Sequence, residues 1–325
     1  MSVATVAAQA PNITQKLQIW RDRRGRLSWL RVTTLALLLM PLGIALANAD
    51  SILHGARPIN DLIHRAGFWM LMFLLGTLAI TPLRRITRFG ELLDVRRMLG
   101  VGAFVYGVAH ILLYTADQMF DLGKVASEIV LRVYLLIGFT ALTGLAMLAA
   151  TSTDGMVRRL GGMRWQKLHY VIYGIGILAL IHYFQQTKAD VSVPTFTAGV
   201  FTWLIGYRIA LRLKKTRGEL TTVALVGLSF VVAGLTFAAE AIGIAIVFNV
   251  SPLLVLQTDI DFDSIGIDML RPGWYVLAAG LAMALVNFVC ARLVKRRGRG
   301  GQGRVPAPAK REGSRETART LAPVN

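Results

Sequence analysis

The sequence predicts an all-α fold, a polytopic transmembrane helical bundle of about eight spans with both termini cytoplasmic. Three observations predict it. Apolar residues make up 54% of the 325-residue chain and charged residues only 17%, whereas soluble globular proteins carry about 25% charged residues. Eight apolar runs follow one another, most of them close to the ~20 residues that cross a bilayer core as a helix, and none alternates with period two as a barrel strand would. The basic residues also sort to one side. Segments 1–31, 84–97, 151–167, 208–220 and 292–325 hold 30 of the 36 Lys and Arg. The other side keeps only Arg57, Arg65, Lys124, Arg132, Lys188 and Arg271. By the positive-inside rule the basic segments are cytoplasmic. The net charge of +18 is therefore a topology signal, and no nucleic acid partner is expected.

A basic cytoplasmic segment, 1–31, precedes the first run, Val32–Ala49. That run ends in Ala47-Asn48-Ala49, which resembles a signal-peptide cleavage site. Cleavage would leave seven spans. Retention is the reading adopted, because the basic region is long and the run can span by itself. The runs Ala66–Leu83, Met98–Ala116, Ile129–Ala150, Leu168–Phe184 and Pro194–Leu211 follow on short connections, completing a six-span unit over 32–213.

The runs Val223–Val250 and Trp274–Val294 read as an additional two-span hairpin over 214–295. The loop between them, Asn249–Gly273, is acidic, with Asp259, Asp261, Asp263 and Asp268, the first three in D-x-D-x-D spacing. It lacks the Gly and terminal Glu of an EF-hand loop, so a solvated loop is expected. Glu240 lies inside the seventh run, and both proton handling and a structural hydrogen bond are open for it. The basic tail, 296–325, is rich in Gly, Pro, Arg and Ala, and disorder is expected. Its Gly298, Gly300 and Gly303 form a literal G-x-G-x-x-G, but without the preceding strand a dinucleotide site requires. Cys290 is the single cysteine, which excludes a disulfide framework and a Cys-rich metal site.

The histidines carry the chemistry. Ionisable groups within membrane spans are costly and point to function, and imidazole is a common axial ligand of haem. His110 stands 12 residues into the third span from Met98, and His182 stands 14 residues into the fifth from Leu168. Both spans run outward, so the two rise about 18 and 21 Å, nearly the same depth. Equal depth on two helices suits one haem between two imidazoles. The alternative is that each histidine bonds a neighbouring backbone. His169 lies 13 residues before His182, about 20 Å lower and about 140° around an ideal helix. It is a candidate for a second haem or for a flavin- or quinone-side site. His64 opens the second span on the outer side, where interfacial solvation is expected, and His54 reads as a loop residue.

The residues also carry a resemblance. The runs Thr77-Leu78-Ala79-Ile80-Thr81-Pro82-Leu83, Arg96-Arg97-Met98-Leu99-Gly100 and Ala109-His110 with Tyr114 resemble the MsrQ (YedZ) family. So do Thr151-Ser152-Thr153, Arg158-Arg159-Leu160-Gly161, Arg164-Trp165, Leu168-His169, Tyr173 and Ile181-His182-Tyr183. This family comprises haem-binding membrane subunits of the periplasmic methionine sulfoxide reductase system, within the ferric-reductase-like transmembrane group. The likeness covers roughly residues 30–213.

It implies a bacterial inner-membrane electron-transfer subunit with b haem, associated with FMN. Such a subunit takes electrons from the quinone pool or a flavin reductase. It passes them to a periplasmic molybdopterin-containing catalytic subunit that repairs oxidised envelope proteins. It also implies His110 and His182 as axial ligands of haem iron and His169 as a third important histidine. Arg97, Arg164 and Trp165 are then candidate FMN or quinone contacts, and Arg65 and Arg132 candidate partners for haem propionates.

Two alternatives stand beside this reading. A stand-alone transmembrane ferric or other oxidoreductase would be expected to carry a soluble flavin- and nicotinamide-binding domain, for which two further spans and a short tail leave no room. A transporter would have no haem. No nucleophile–base pair is evident, so the sulfoxide chemistry is expected in the partner.

Overall fold

The computed structural model describes residues 20, 26–187, 190–214, 219–260 and 270–301, with backbone alone for 260 and 295–301. The described residues form helices and no strand. In chain order these are α1 (Trp29–Ala47), α2 (Ala49–Leu53), α3 (Pro58–Thr87), a 3-10 turn (Gly90–Leu92), α4 (Leu93–Asp117), α5 (Leu122–Leu131), α6 (Val133–Ala150), α7 (Asp154–Leu160), α8 (Gly162–His169), α9 (Val171–Gln186), α10 (Ser192–Leu213), α11 (Thr222–Phe248), α12 (Pro252–Ile260) and α13 (Pro272–Gly301).

Seven of the described helical segments are long and apolar enough to cross a membrane. The expected sixth span, α10, has the length, at 22 residues, but is less apolar. Its Thr195, Thr197, Trp203 and Tyr207 are buried, and it packs against α3, α9, α11 and α13. A helix sheltered by protein on several sides needs less apolar surface than one facing lipid.

Helices α3 and α4 pack along one another, as do α6 and α9, and α4 also meets α6. Leu74 and Leu78 of α3 are completely buried, which makes α3 the inner post of the bundle. Helix α1 lies at the rim against α4, where Tyr106 donates its hydroxyl to the Leu38 carbonyl at 2.8 Å. In the added hairpin α11 packs on α13 and α10, and α13 also reaches α3.

Pro82 lies inside α3 and has no N–H for the carbonyl four residues back, that of Leu78. Arg208 of α10 donates Nη2 to that carbonyl and Nη1 to Leu204 O. Its guanidinium also stands 5.7 Å from the centre of the Tyr173 ring. A cation inside the bundle thus repairs the helix bond that proline removes.

Several boundaries differ from the sequence pattern. The fourth run is broken at Arg132, whose backbone is extended (φ −105, ψ 110), so α5 is a separate outer helix. The fifth run extends back to Gly162, because Tyr170 keeps helical dihedrals (φ −69, ψ −18) between α8 and α9. The acidic loop is not wholly solvated as expected: it contains α12, and Asp259 is only 4% exposed. Asp261, Asp263 and Asp268 lie outside the described residues. Helix α13 runs on through Gly298 and Gly300 to Gly301, past the expected start of the tail at Arg296. The rest of the tail, with Gly303, lies outside the described residues.

Candidate functional site

Helices α4 and α9 bring His110 and His182 together. Their ring centroids are 6.3 Å apart and their planes are nearly perpendicular, at 88°. Each ring reaches a carbonyl on a neighbouring helix. His110 Nδ1 lies 2.8 Å from Ile63 O of α3, and His182 Nδ1 lies 2.8 Å from Tyr134 O of α6. A carbonyl only accepts, so each Nδ1 carries the proton and donates. The tautomer is thereby fixed, and Nε2 of each ring keeps its lone pair for a metal.

Glycine makes both bonds possible. Gly67 is four residues after Ile63, and Gly138 four after Tyr134. A helical side chain leans toward the N-terminus over the preceding turn, so a glycine at i+4 uncovers the carbonyl at i. An added Cβ would stand 3.1 Å from His110 Nδ1 at Gly67, and 2.8 Å from His182 Nδ1 and Cε1 at Gly138. The same unit of carbonyl, glycine and incoming imidazole is built twice, once on α3 and once on α6.

The separation fits a shared metal. Two imidazoles bonded through nitrogen to one ion at about 2.1 Å, with a ring radius of roughly 1.1 Å, place their centroids about 6.4 Å apart. No group of three or more His, Cys, Asp or Glu side chains suited to a metal exists among the described residues. An ion held by this pair would need the rest of its coordination sphere to arrive with it, as the four nitrogens of a porphyrin do. The residues present fit a haem.

The structure places His169 elsewhere and in a different setting. Its Nδ1 lies 3.0 Å from Trp165 O, its Nε2 lies 3.3 Å from Ser152 Oγ, and the Trp165 ring stacks on it at 3.8 Å. Trp165 Nε1 donates to Thr151 O at 2.9 Å. This pins the α6–α7 turn to α8. Both ring nitrogens have protein partners, and no second histidine is brought to His169 among the described residues. Arg97 donates to Asp154 at 2.7 Å across α4 and α7, and Arg164 is exposed beside Trp165.

On the outer side Arg132 is engaged by Glu128 at 3.1 Å and by the Tyr134 hydroxyl at 3.3 Å. Glu128 also accepts from Tyr114 at 2.8 Å. This network adjoins Tyr134, whose carbonyl holds His182. Arg65 is exposed on α3. His64 is exposed, with Nδ1 2.8 Å from Asn60 O, and lies within electrostatic range of both paired histidines. His54 caps α2 and bonds Asp50 O at 2.8 Å.

The sequence reading did not single out Ile63, Gly67, Tyr134 or Gly138. The signal, a glycine four residues after an acceptor position, becomes visible only once the partner helices are known. In the sequence Arg208 reads only as part of a basic cytoplasmic segment. Glu240 and Arg271, 31 positions apart in the sequence, meet at 2.6 Å, with Asp259 3.0 Å from the same guanidinium. Burial pushes the Asp259 carboxyl up against the pull of Arg271.

Comparison with known proteins follows this geometry. Residues 62–180 match the family described as ferric reductase like transmembrane component, which covers His110 and His169 and stops two residues short of His182. The chain is 40% identical over 201 residues to the protein-methionine-sulfoxide reductase heme-binding subunit MsrQ of Rhodospirillum rubrum, covering 61% of this chain and 93% of that protein. The MsrQ of Xanthomonas campestris pv. campestris is 44% identical over 167 residues, 50% of this chain and 75% of its own length. That of Ralstonia nicotianae is 40% identical over 159 residues, 48% and 73%. No solved structure matches. The chain belongs to the MsrQ family, as a multi-pass membrane redox subunit built on a ferric-reductase-like bundle.

Proposed function

We propose that this chain is an electron-transfer subunit of a bacterial inner membrane that holds b-type haem through His110 and His182. It passes electrons to a periplasmic molybdopterin-containing subunit that reduces methionine sulfoxide in oxidised envelope proteins. The observation that carries the reading is the His110–His182 pair, with both Nδ1 atoms committed and both Nε2 atoms left. The relatives support it, since they are named heme-binding subunits of a methionine sulfoxide reductase.

Bound haem supplies a one-electron iron couple. The protein's own residues do the rest. The Ile63 and Tyr134 carbonyls orient the rings and raise the basicity of Nε2. Gly67 and Gly138 give the rings room. In this reading Arg65 and Arg132 serve the propionates, with Arg132 shared between that role and Glu128.

Sulfoxide reduction consumes two electrons and two protons per methionine and belongs to the partner. The donor is the quinone pool or a flavin source carrying FMN. His169, Arg97, Arg164 and Trp165, at the basic edge away from the paired histidines, are the flavin- or quinone-side residues.

The test is the dithionite-reduced minus oxidised absorption spectrum of the purified protein, beside His110→Ala and His182→Ala. A low-spin b-type spectrum that each variant loses or converts to high spin is expected. Wild-type protein without haem, after expression with ample haem supply, overturns the reading.

A further inference from the structure

The His110 side and the His182 side of the site meet again further out, at one carboxylate. Tyr114 follows His110 by four residues on α4, about 6 Å further along the axis and about 40° around it. It therefore continues the face that carries His110. Its hydroxyl donates to Glu128 Oε2 at 2.8 Å. The other carboxylate oxygen, Oε1, accepts from Arg132 Nη2 at 3.1 Å. Arg132 Nη1 in turn donates to the Tyr134 hydroxyl at 3.3 Å. Tyr134 meets His182 twice. Its carbonyl takes the Nδ1 proton, and its ring lies 6.5 Å from the imidazole, with the planes 29° apart. Glu128 thus gives one oxygen to the His110 side and one to the His182 side.

The local fold gives this tie a purpose. The backbone is extended at Arg132, which separates α5 from α6, and the first turn of α6 has no side-chain cap. The opening N–H groups of a helix have no partner within it, and such ends fray. Tyr134 lies in that first turn, yet its carbonyl is the group that orients His182. The path from Glu128 through Arg132 fixes the Tyr134 side chain where the helix start alone does not. The Glu128 side chain is 20% exposed, so water screens its charge less than that of a fully solvated acid.

We propose that Glu128 is a positioning residue of the haem site. It sets the angle between the two imidazoles, through Tyr114 on one side and through Arg132 and Tyr134 on the other, and its charge keeps the midpoint potential of the haem low. The inference rests on the haem reading above. Ferric haem carries one more positive charge than ferrous haem, so a fixed anion nearby favours the ferric form. A lower potential makes the reduced haem a stronger donor to an acceptor on the outer side. Arg132 opposes this effect, and the balance of the two charges sets the result.

The experiment uses the full chain in lipid nanodiscs. Spectroelectrochemical titration reads the midpoint potential, and electron paramagnetic resonance of the oxidised protein reads the ligand geometry. Glu128→Gln removes the charge, keeps an oxygen acceptor, and is expected to raise the potential. Arg132→Gln leaves Glu128 uncompensated and is expected to lower it. Tyr114→Phe removes the bond to α4 without a change of charge, and is expected to shift the g values while moving the potential less than either. Glu128→Asp, which keeps the charge, is expected to bring the potential back toward that of the wild type. Shifts of the same sign in Glu128→Gln and Arg132→Gln are what a merely structural clasp would give, and they overturn the proposal. So do unchanged potentials in these two variants or unchanged g values in Tyr114→Phe. If Glu128→Gln fails to fold, Arg132→Gln and Tyr114→Phe still decide by the same criteria. Any of these results on a wild type that holds low-spin haem leaves the haem reading standing. Wild-type protein without haem defeats that reading and this inference with it.

Discussion

A Cβ on Gly138 would stand 2.8 Å from both Nδ1 and Cε1 of His182, so the imidazole occupies the space that a side chain there would take. Gly67 and His110 repeat the relationship at 3.1 Å. The two histidines are thus held by backbone, without side-chain partners on their Nδ1 atoms. Carbonyls on rigid helices orient them, and no acid is needed in the apolar interior.

Gly138→Ala is expected to displace the His182 ring and lower haem occupancy severalfold, or convert the haem to high spin. Gly67→Ala, with slightly more room, should do the same more weakly. Gly174→Ala on α9, where a Cβ meets nothing within 4 Å, is the control and should bind haem normally. Haem-to-protein ratio and electron paramagnetic resonance of the oxidised protein check the order. Equal haem content in all three would mean that the rings do not need these openings.

Arg97 and Asp154 form an exposed pair, with side chains 50% and 73% accessible. Such pairs contribute about 0–1 kcal/mol. Arg97→Ala should therefore leave the thermal midpoint nearly unchanged, so any effect on flavin is specific. If Arg97 holds the FMN phosphate, Arg97→Ala lowers FMN content, and Asp154→Ala, which frees the guanidinium, raises it. FMN fluorescence after denaturation measures both. Unchanged FMN in the pair would remove Arg97 from the site.

The spans and the matching depth of His110 and His182 were legible in the sequence, because apolar length and position along a helix are one-dimensional signals. The partners of those histidines were not legible. Ile63 and Tyr134 act through backbone carbonyls, which no side chain announces, and their glycines look like ordinary membrane-helix glycines. Helix α10 reads as a full span, although its Thr195, Thr197 and Arg208 are sheltered by neighbouring helices rather than by lipid. Asp259 read as solvated because its partner Arg271 follows 12 positions later, across a loop whose path the sequence does not state.

Arg271 is the only cation the described structure places between Glu240 and Asp259, whose side chains are 0% and 6% exposed. Removing one partner of a buried pair leaves an uncompensated charge and costs about 3–5 kcal/mol. Arg271 is itself 31% exposed, so Arg271→Ala should fall at about 3 kcal/mol, at the low end. Glu240→Gln in the same chain should recover part of the loss by removing the charge. Thermal unfolding in detergent compares the three, and a double variant no more stable than Arg271→Ala would show that Glu240 is not the group left stranded.

Pro82 and Arg208 offer a cleaner test, because proline removes a donor and arginine replaces it. The Leu78 carbonyl takes Arg208 Nη2 where a residue other than proline at position 82 would donate its N–H. Arg208→Leu leaves that carbonyl without a donor inside the bundle, which costs about 1–3 kcal/mol, and also removes the contact with Tyr173. Pro82→Ala restores the helical donor. In that background Arg208→Leu should cost less, by about 1 kcal/mol or more, as a double-mutant cycle measures. The coupling should appear in unfolding midpoints of the full chain in detergent. An additive cycle would mean that Arg208 is retained for its contact with Tyr173 or its own helix, and that the Pro82 gap is filled in another way.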